Sequence, residues 1–135
     1  MHSRWDLESE KFEILEGKTL TRVFEDGDEL IFIDNSGNAY KLYHDQNCCE
    51  SVSIDDICGD LSDLVGVPIL KAEVTDSVGG FDSGKSKHDG DDSYTWTFYR
   101  ITTFKGTVTI RWYGASNGYY SEHVDFAKIK GGYYA

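Results

Sequence analysis

Between Tyr94 and Phe126 the chain concentrates aromatic and β-branched residues, which suit a pleated, half-buried surface. Tyr94-Thr95-Trp96-Thr97-Phe98-Tyr99 comes first, then Val108-Thr109-Ile110-Arg111-Trp112-Tyr113, then Asn117-Gly118-Tyr119-Tyr120. Lys105-Gly106 and Asn117-Gly118 fall where hairpin turns belong. The stretch predicts a three-stranded antiparallel meander. Trp96, Phe98, Val108, Ile110 and Trp112 would supply much of its core.

The earlier part of the chain repeats the β pattern more weakly. Thr19 to Phe24, Leu30 to Ile33, and the alternation of Tyr40, Leu42 and His44 read as strands. Asp26-Gly27-Asp28 and Asp34-Asn35-Ser36-Gly37-Asn38 separate them as turns. Leu70, Ala72 and Val74 read as a further strand. One segment departs from this period. Ile54, Ile57, Cys58, Leu61, Leu64 and Val65 recur at helical spacing, with Asp55, Asp56, Asp60 and Asp63 on the other side. Ser53 followed by Asp56 gives a capping-box-like start, and Gly66 and Pro68 mark a stop. The predicted fold is therefore α+β. A mainly antiparallel, twisted sheet carries one amphipathic helix, about residues 54–65, packed on it.

The 135 residues make one domain. Residues 1–16 and 130–135 read as peripheral, and the polar, Gly-rich stretch 77–92 reads as a flexible loop. The formal charge of −11 argues against nucleic acid and against anionic membranes as partners. It suits a partner with a basic surface. No apolar run approaches the roughly 18 residues of a membrane span, and the first residues lack a signal-peptide core. Cys48, Cys49 and Cys58 form an odd set without disulfide-framework spacing, so a reducing cytosol is the expected setting.

Several motifs look chemical. Gly79, Gly84, Lys85 and Ser86 match the phosphate-loop pattern, but Lys87-His88-Asp89-Gly90-Asp91-Asp92 behind them is no helix and would repel phosphate. His44, Cys48 and Cys49 resemble part of a zinc site with an incomplete ligand set. Ser121, His123 and Asp125 alternate on a strand, about 6.6–6.8 Å apart along it, too far for direct nucleophile–base contact. No catalytic residue and no cofactor is expected. Arg111, Tyr113, Ser116, Asn117, Tyr119 and Tyr120 make the best binding candidate. The tyrosines would stack on a planar ligand, and Arg111, on the same strand face as Tyr113, would sit near a phosphate. Asp55, Asp56, Asp60 and Asp63 offer a second candidate, an acidic helix face for a basic protein.

Leu15-Glu16-Gly17-Lys18-Thr19-Leu20, the run Tyr43 to Val52 with its His-Cys-Cys residues, Asp55 to Leu61, Trp96 to Tyr99, Val108 to Gly114 and Ser116 to Ser121 follow one another along the chain. Over roughly residues 15–129 the chain resembles a family of small uncharacterised domains carried by tailed phages and prophages. That resemblance implies a phage accessory protein acting in the cytoplasm of a bacterial host, and it carries no established activity. Two expectations follow. The protein is a non-enzymatic sponge that sequesters a small nucleotide-derived immune signal, or it is an acidic inhibitor occupying a basic site on a host defence protein. The oligomeric state, homo-oligomer included, stays open.

Overall fold

The computed structural model describes residues 7–46, 49–78, 93–116 and 122–132. Among the described residues, period-two alternation of apolar residues builds nine strands: β1 (Leu7–Ser9), β2 (Leu20–Asp26), β3 (Glu29–Asp34), β4 (Ala39–Tyr43), β5 (Ser51–Cys58), β6 (Lys71–Val78), β7 (Ser93–Thr103), β8 (Gly106–Ser116) and β9 (Asp125–Ile129). They form two antiparallel sheets, ordered β1-β9-β4-β3-β2 and β5-β8-β7-β6. The inner faces meet in one core. Leu30, Phe32, Tyr40, Leu42 and Phe126 of the first sheet pack with Tyr99, Ile101, Val108, Ile110 and Trp112 of the second. Burying each of the larger side chains contributes roughly 1.5–3 kcal/mol.

The meander expected from Tyr94 to Phe126 is half present. Strands β7 and β8 form an 11-residue-by-11-residue hairpin. Its turn residues are Phe104 and Lys105, because Thr103 pairs with Gly106. The third strand, β9, does not continue that hairpin. It crosses to the first sheet and lies between β1 and β4.

The predicted helix at 54–65 is not formed among the described residues. Ser51–Cys58 is strand β5, paired antiparallel with β8. The helical spacing has a different cause. Val52 and Ile54 alternate onto the core side, and then the register shifts between Ile54 and Asp56. That β-bulge inserts one residue and reverses the alternation, so Ile57 faces the core as well. Gly59, at φ +115°, breaks the strand. Leu61–Leu64 then forms a 3-10 turn, whose three-residue period puts Leu61 and Leu64 against the core. A bulge, a glycine break and a short 3-10 turn together imitate one helix face. The fold is therefore all-β, with no α-helix among the described residues.

Residues 7–16 are not peripheral. Leu7–Ser9 pairs with β9, and the 3-10 turn Phe12–Leu15 sends Phe12 and Leu15 into the core. Phe12 sits edge-on to Tyr99, Phe126 and Phe32, with centroids 4.8, 5.3 and 6.4 Å away. It acts as a plug between the sheets. Strand β6 runs to Val78, so it takes up the start of the expected 77–92 loop; residues 79–92 lie outside the described residues. No helix of the described residues is long and apolar enough to cross a membrane.

Candidate functional site

The strand pairing gathers three connections at one end of the sandwich. Tyr43 pairs with Asp125, Ser51 with Ala115, Tyr94 with Ala115, and Val78 with Thr95. The strand ends at Tyr43 and Asp125 in the first sheet, and at Ser51, Val78, Tyr94 and Ala115 in the second, therefore lie side by side within their sheets. Loops of a rigid sandwich are a common location for binding residues.

His44 anchors the described part of this end. Its Nδ1 lies 2.8 Å from the His123 carbonyl oxygen, and its Nε2 lies 2.7 Å from Glu50 Oε2. A carbonyl oxygen only accepts, so Nδ1 carries a proton. Nε2 faces the Glu50 carboxylate as its hydrogen-bond partner. Both side chains are nearly water-free, at 5% and 0% exposure. Gln46 Nε2 donates to the Glu50 carbonyl at 2.7 Å, which closes the β4–β5 segment around the pair.

Glu122 ties the lead-in to β9 onto the second sheet. Thr95 Oγ1 donates to its Oε1 at 2.7 Å, and Ser116 Oγ donates to its Oε2 at 2.6 Å. Gly114 permits this approach. A Cβ there would stand 2.8 Å from the Glu122 carbonyl oxygen. The lead-in to β9 thus passes directly against the β8 backbone at Gly114.

Beside these anchors lies an acidic rim. Burial raises the Tyr43 phenol above its ordinary range, and the charges of Asp125, Asp45 and Glu29 raise it further. Burial likewise raises Asp125; the His44 and His123 charges oppose this, and Asp45 adds to it. Three carboxylates, from β3, the β4–β5 connection and β9, thus act on one phenol, with Asp125 directly across from Tyr43 in the strand register. Lys41, buried at 2% exposure, meets Glu29 at 3.1 Å and lies 4.8 Å from the Tyr43 centroid. It answers only part of that charge. Asp45 and Asp125 remain exposed.

The residues singled out from sequence have other partners. Arg111 and Tyr113 do share the outer face of β8. Arg111 is held there by Asp55, whose Oδ2 lies 2.9 Å from Nε and 2.8 Å from Nη2. Asp56 adds a contact at 3.8 Å. The β5 bulge explains the arrangement, because it sets both aspartates against one arginine. The guanidinium also lies 5.4 Å from the Trp96 centroid. Its charge is answered by carboxylates that would repel a phosphate, so the geometry does not support the expected phosphate contact. Tyr113 is buried against Trp96 and Tyr94, with centroids at 4.6 and 6.1 Å. Ser116 points to Glu122 instead. Asn117, Tyr119 and Tyr120 lie outside the described residues.

The acidic helix face dissolves with the helix. Asp55 and Asp56 serve Arg111. Asp60 accepts from Ser62 N at 3.0 Å and Ser62 Oγ at 2.8 Å, and the backbone bond first, then the hydroxyl, holds its carboxyl below the usual range. The Asp63 carbonyl accepts from Thr103 Oγ1 at 2.6 Å. Acidic side chains do gather, but at Glu29, Asp45 and Asp125. Sequence offered little sign of this, since the three lie on separate elements.

The zinc alternative also loses its geometry. Both His44 ring nitrogens are engaged, Cys49 is disulfide-bonded, and Cys48 lies outside the described residues. Among the described residues no three His, Cys, Asp or Glu groups come together as a metal site. The spacing of the cysteines had given no sign of a disulfide. In the Ser121, His123 and Asp125 set, Ser121 is outside the described residues, as are Gly79, Gly84, Lys85 and Ser86 of the phosphate-loop pattern.

Cys58 is a free, exposed thiol 3.4 Å from Asp56 Oδ2. The hydrogen bond to Asp56 and that carboxylate's charge raise its pKa, and Arg111 only partly opposes them. A raised thiol pKa means less thiolate at neutral pH. Alkylation at pH 7 should therefore be slower than for a free cysteine, and Asp56→Asn should accelerate it. Equal rates in the two proteins would show that Asp56 does not control the thiol.

A family model described as a domain of unknown function (DUF7448) matches residues 13–126. No curated protein and no solved structure matches the chain.

Proposed function

The chain belongs to the DUF7448 family, a domain of unknown function, and we propose that it is a non-enzymatic phage counter-defence protein whose acidic rim occupies a basic site on a host defence protein. The acidic surface beside Tyr43 carries this reading: Asp125 stands directly across from Tyr43, Asp45 follows two residues on, both are exposed, and with Glu29 they raise the phenol. Carboxylates crowded around a half-buried ring repel one another, and a cationic partner relieves that repulsion on docking. The protein's charge of −11 would also steer it toward such a partner. The test is capture from bacterial lysate by immobilised protein, followed by a salt gradient. A host protein should be retained at low ionic strength, released as salt rises, and lost from the Asp45→Asn/Asp125→Asn double variant. Salt-insensitive capture, or equal capture by the variant, would overturn the proposal.

A second reading rests on the outer face of the second sheet. Tyr94, Trp96 and Tyr113 pack there as a preformed aromatic group. Such a surface suits a sponge for a small nucleotide-derived immune signal. Incubation with candidate cyclic nucleotides, then heating, should return intact ligand. Absence of binding, or conversion to product, would end that reading.

A further inference from the structure

The outer face of the second sheet also holds a smaller feature. In the β6–β7 register Glu73 lies directly across from Arg100, and Thr75 across from Phe98. Opposite charges placed so on an antiparallel pair ordinarily close on each other. Here they do not: among the described residues no ion pair or side-chain hydrogen bond engages either group. A cavity of about 190 Å³ lies between Glu73, Thr75, Phe98 and Arg100. Its walls are a carboxylate that only accepts, a guanidinium that only donates, a hydroxyl and a flat ring.

An occupant must bring donors to Glu73, acceptors to Arg100 and a flat face to Phe98. We infer that this cavity is a subsite for a guanine base. The guanine N1–H and exocyclic amine donate side by side, which matches one carboxylate. Its O6 and N7 accept from a guanidinium, the commonest specific contact to that base. Its ring stacks on an aromatic side chain, and Thr75 supplies one more hydroxyl at the edge. Adenine offers a single exocyclic donor group and no adjacent ring N–H, so it leaves half of the carboxylate unanswered. Arg111 takes no part, because Asp55 and Asp56 already hold it. The choice of a nucleobase rests on the second, ligand-binding reading above.

Guanosine and adenosine, which carry no phosphate charge, isolate the base contacts. Calorimetric titration of the full chain should show guanosine binding about tenfold or more tighter than adenosine. Glu73→Gln should remove most of that preference. Arg100→Ala should weaken guanosine binding by about tenfold. Neither substitution touches the core, and circular dichroism is the check that each variant folds. Equal binding of the two nucleosides, or unchanged guanosine binding in Glu73→Gln, would overturn the subsite while cyclic-nucleotide capture could still stand. Failure of guanosine and of every cyclic nucleotide to bind at millimolar concentration would overturn both.

Discussion

Gly114→Val is expected to destabilise the domain by about 3 kcal/mol. The added Cβ meets the Glu122 carbonyl oxygen at 2.8 Å, the Glu122 Cβ at 3.0 Å and Val52 Cγ2 at 3.2 Å. Two of these belong to chain that Glu122 pins through Thr95 and Ser116, so little can yield. Either β8 shifts, which disturbs Trp112 in the core, or the lead-in to β9 lifts off the second sheet. Ala115→Ser, one position along and half-exposed, serves as the control and should change stability by less than about 0.5 kcal/mol. Urea unfolding of the two variants checks this. Equal midpoints would mean that the close approach at Gly114 is not formed.

Glu50→Ala is expected to cost about 3 kcal/mol at neutral pH. It removes the acceptor facing His44 Nε2 inside a pair that water scarcely reaches. The other ring nitrogen stays committed to the His123 carbonyl, so the imidazole cannot simply turn away. Glu50→Gln keeps an acceptor of the same shape and should cost clearly less. The comparison separates a lost buried contact from a lost shape. Unfolding curves of the two variants that coincide with the wild type would show that the His44–Glu50 pair does not hold this end of the sandwich.

Much of the strand pattern was legible because period-two alternation reports burial directly. Leu30, Phe32, Tyr40, Leu42, Val108, Ile110 and Trp112 all lie where alternation puts them. The segment from Ile54 to Leu64 was misleading for a local reason. A bulge changes the parity of a strand without changing its composition, and a 3-10 turn continues the false period. The crossing of β9 to the first sheet was also invisible, since a short strand that offers Phe126 to one face and Ile129 to the other fits either sheet. The site was less legible than the fold. Arg111 and Tyr113 were placed correctly on one face, yet nothing in the sequence said that Asp55 and Asp56 would meet the arginine. The pairing depends on the bulge, so it inherits the same blind spot. His44, Glu50 and Glu122 were hidden for another reason. Their contacts join residues far apart in the chain, and a single polar residue beside a strand carries no periodic signal.

The acidic rim is the account's central claim, and the association rate between this protein and a captured, purified host partner tests it most directly. The rate should fall by about tenfold or more between low and high ionic strength, as expected for electrostatic steering. In the Asp45→Asn/Asp125→Asn variant it should start lower and depend less steeply on salt. A rate independent of salt, or identical slopes for variant and wild type, would contradict the claim that Glu29, Asp45 and Asp125 form the docking surface.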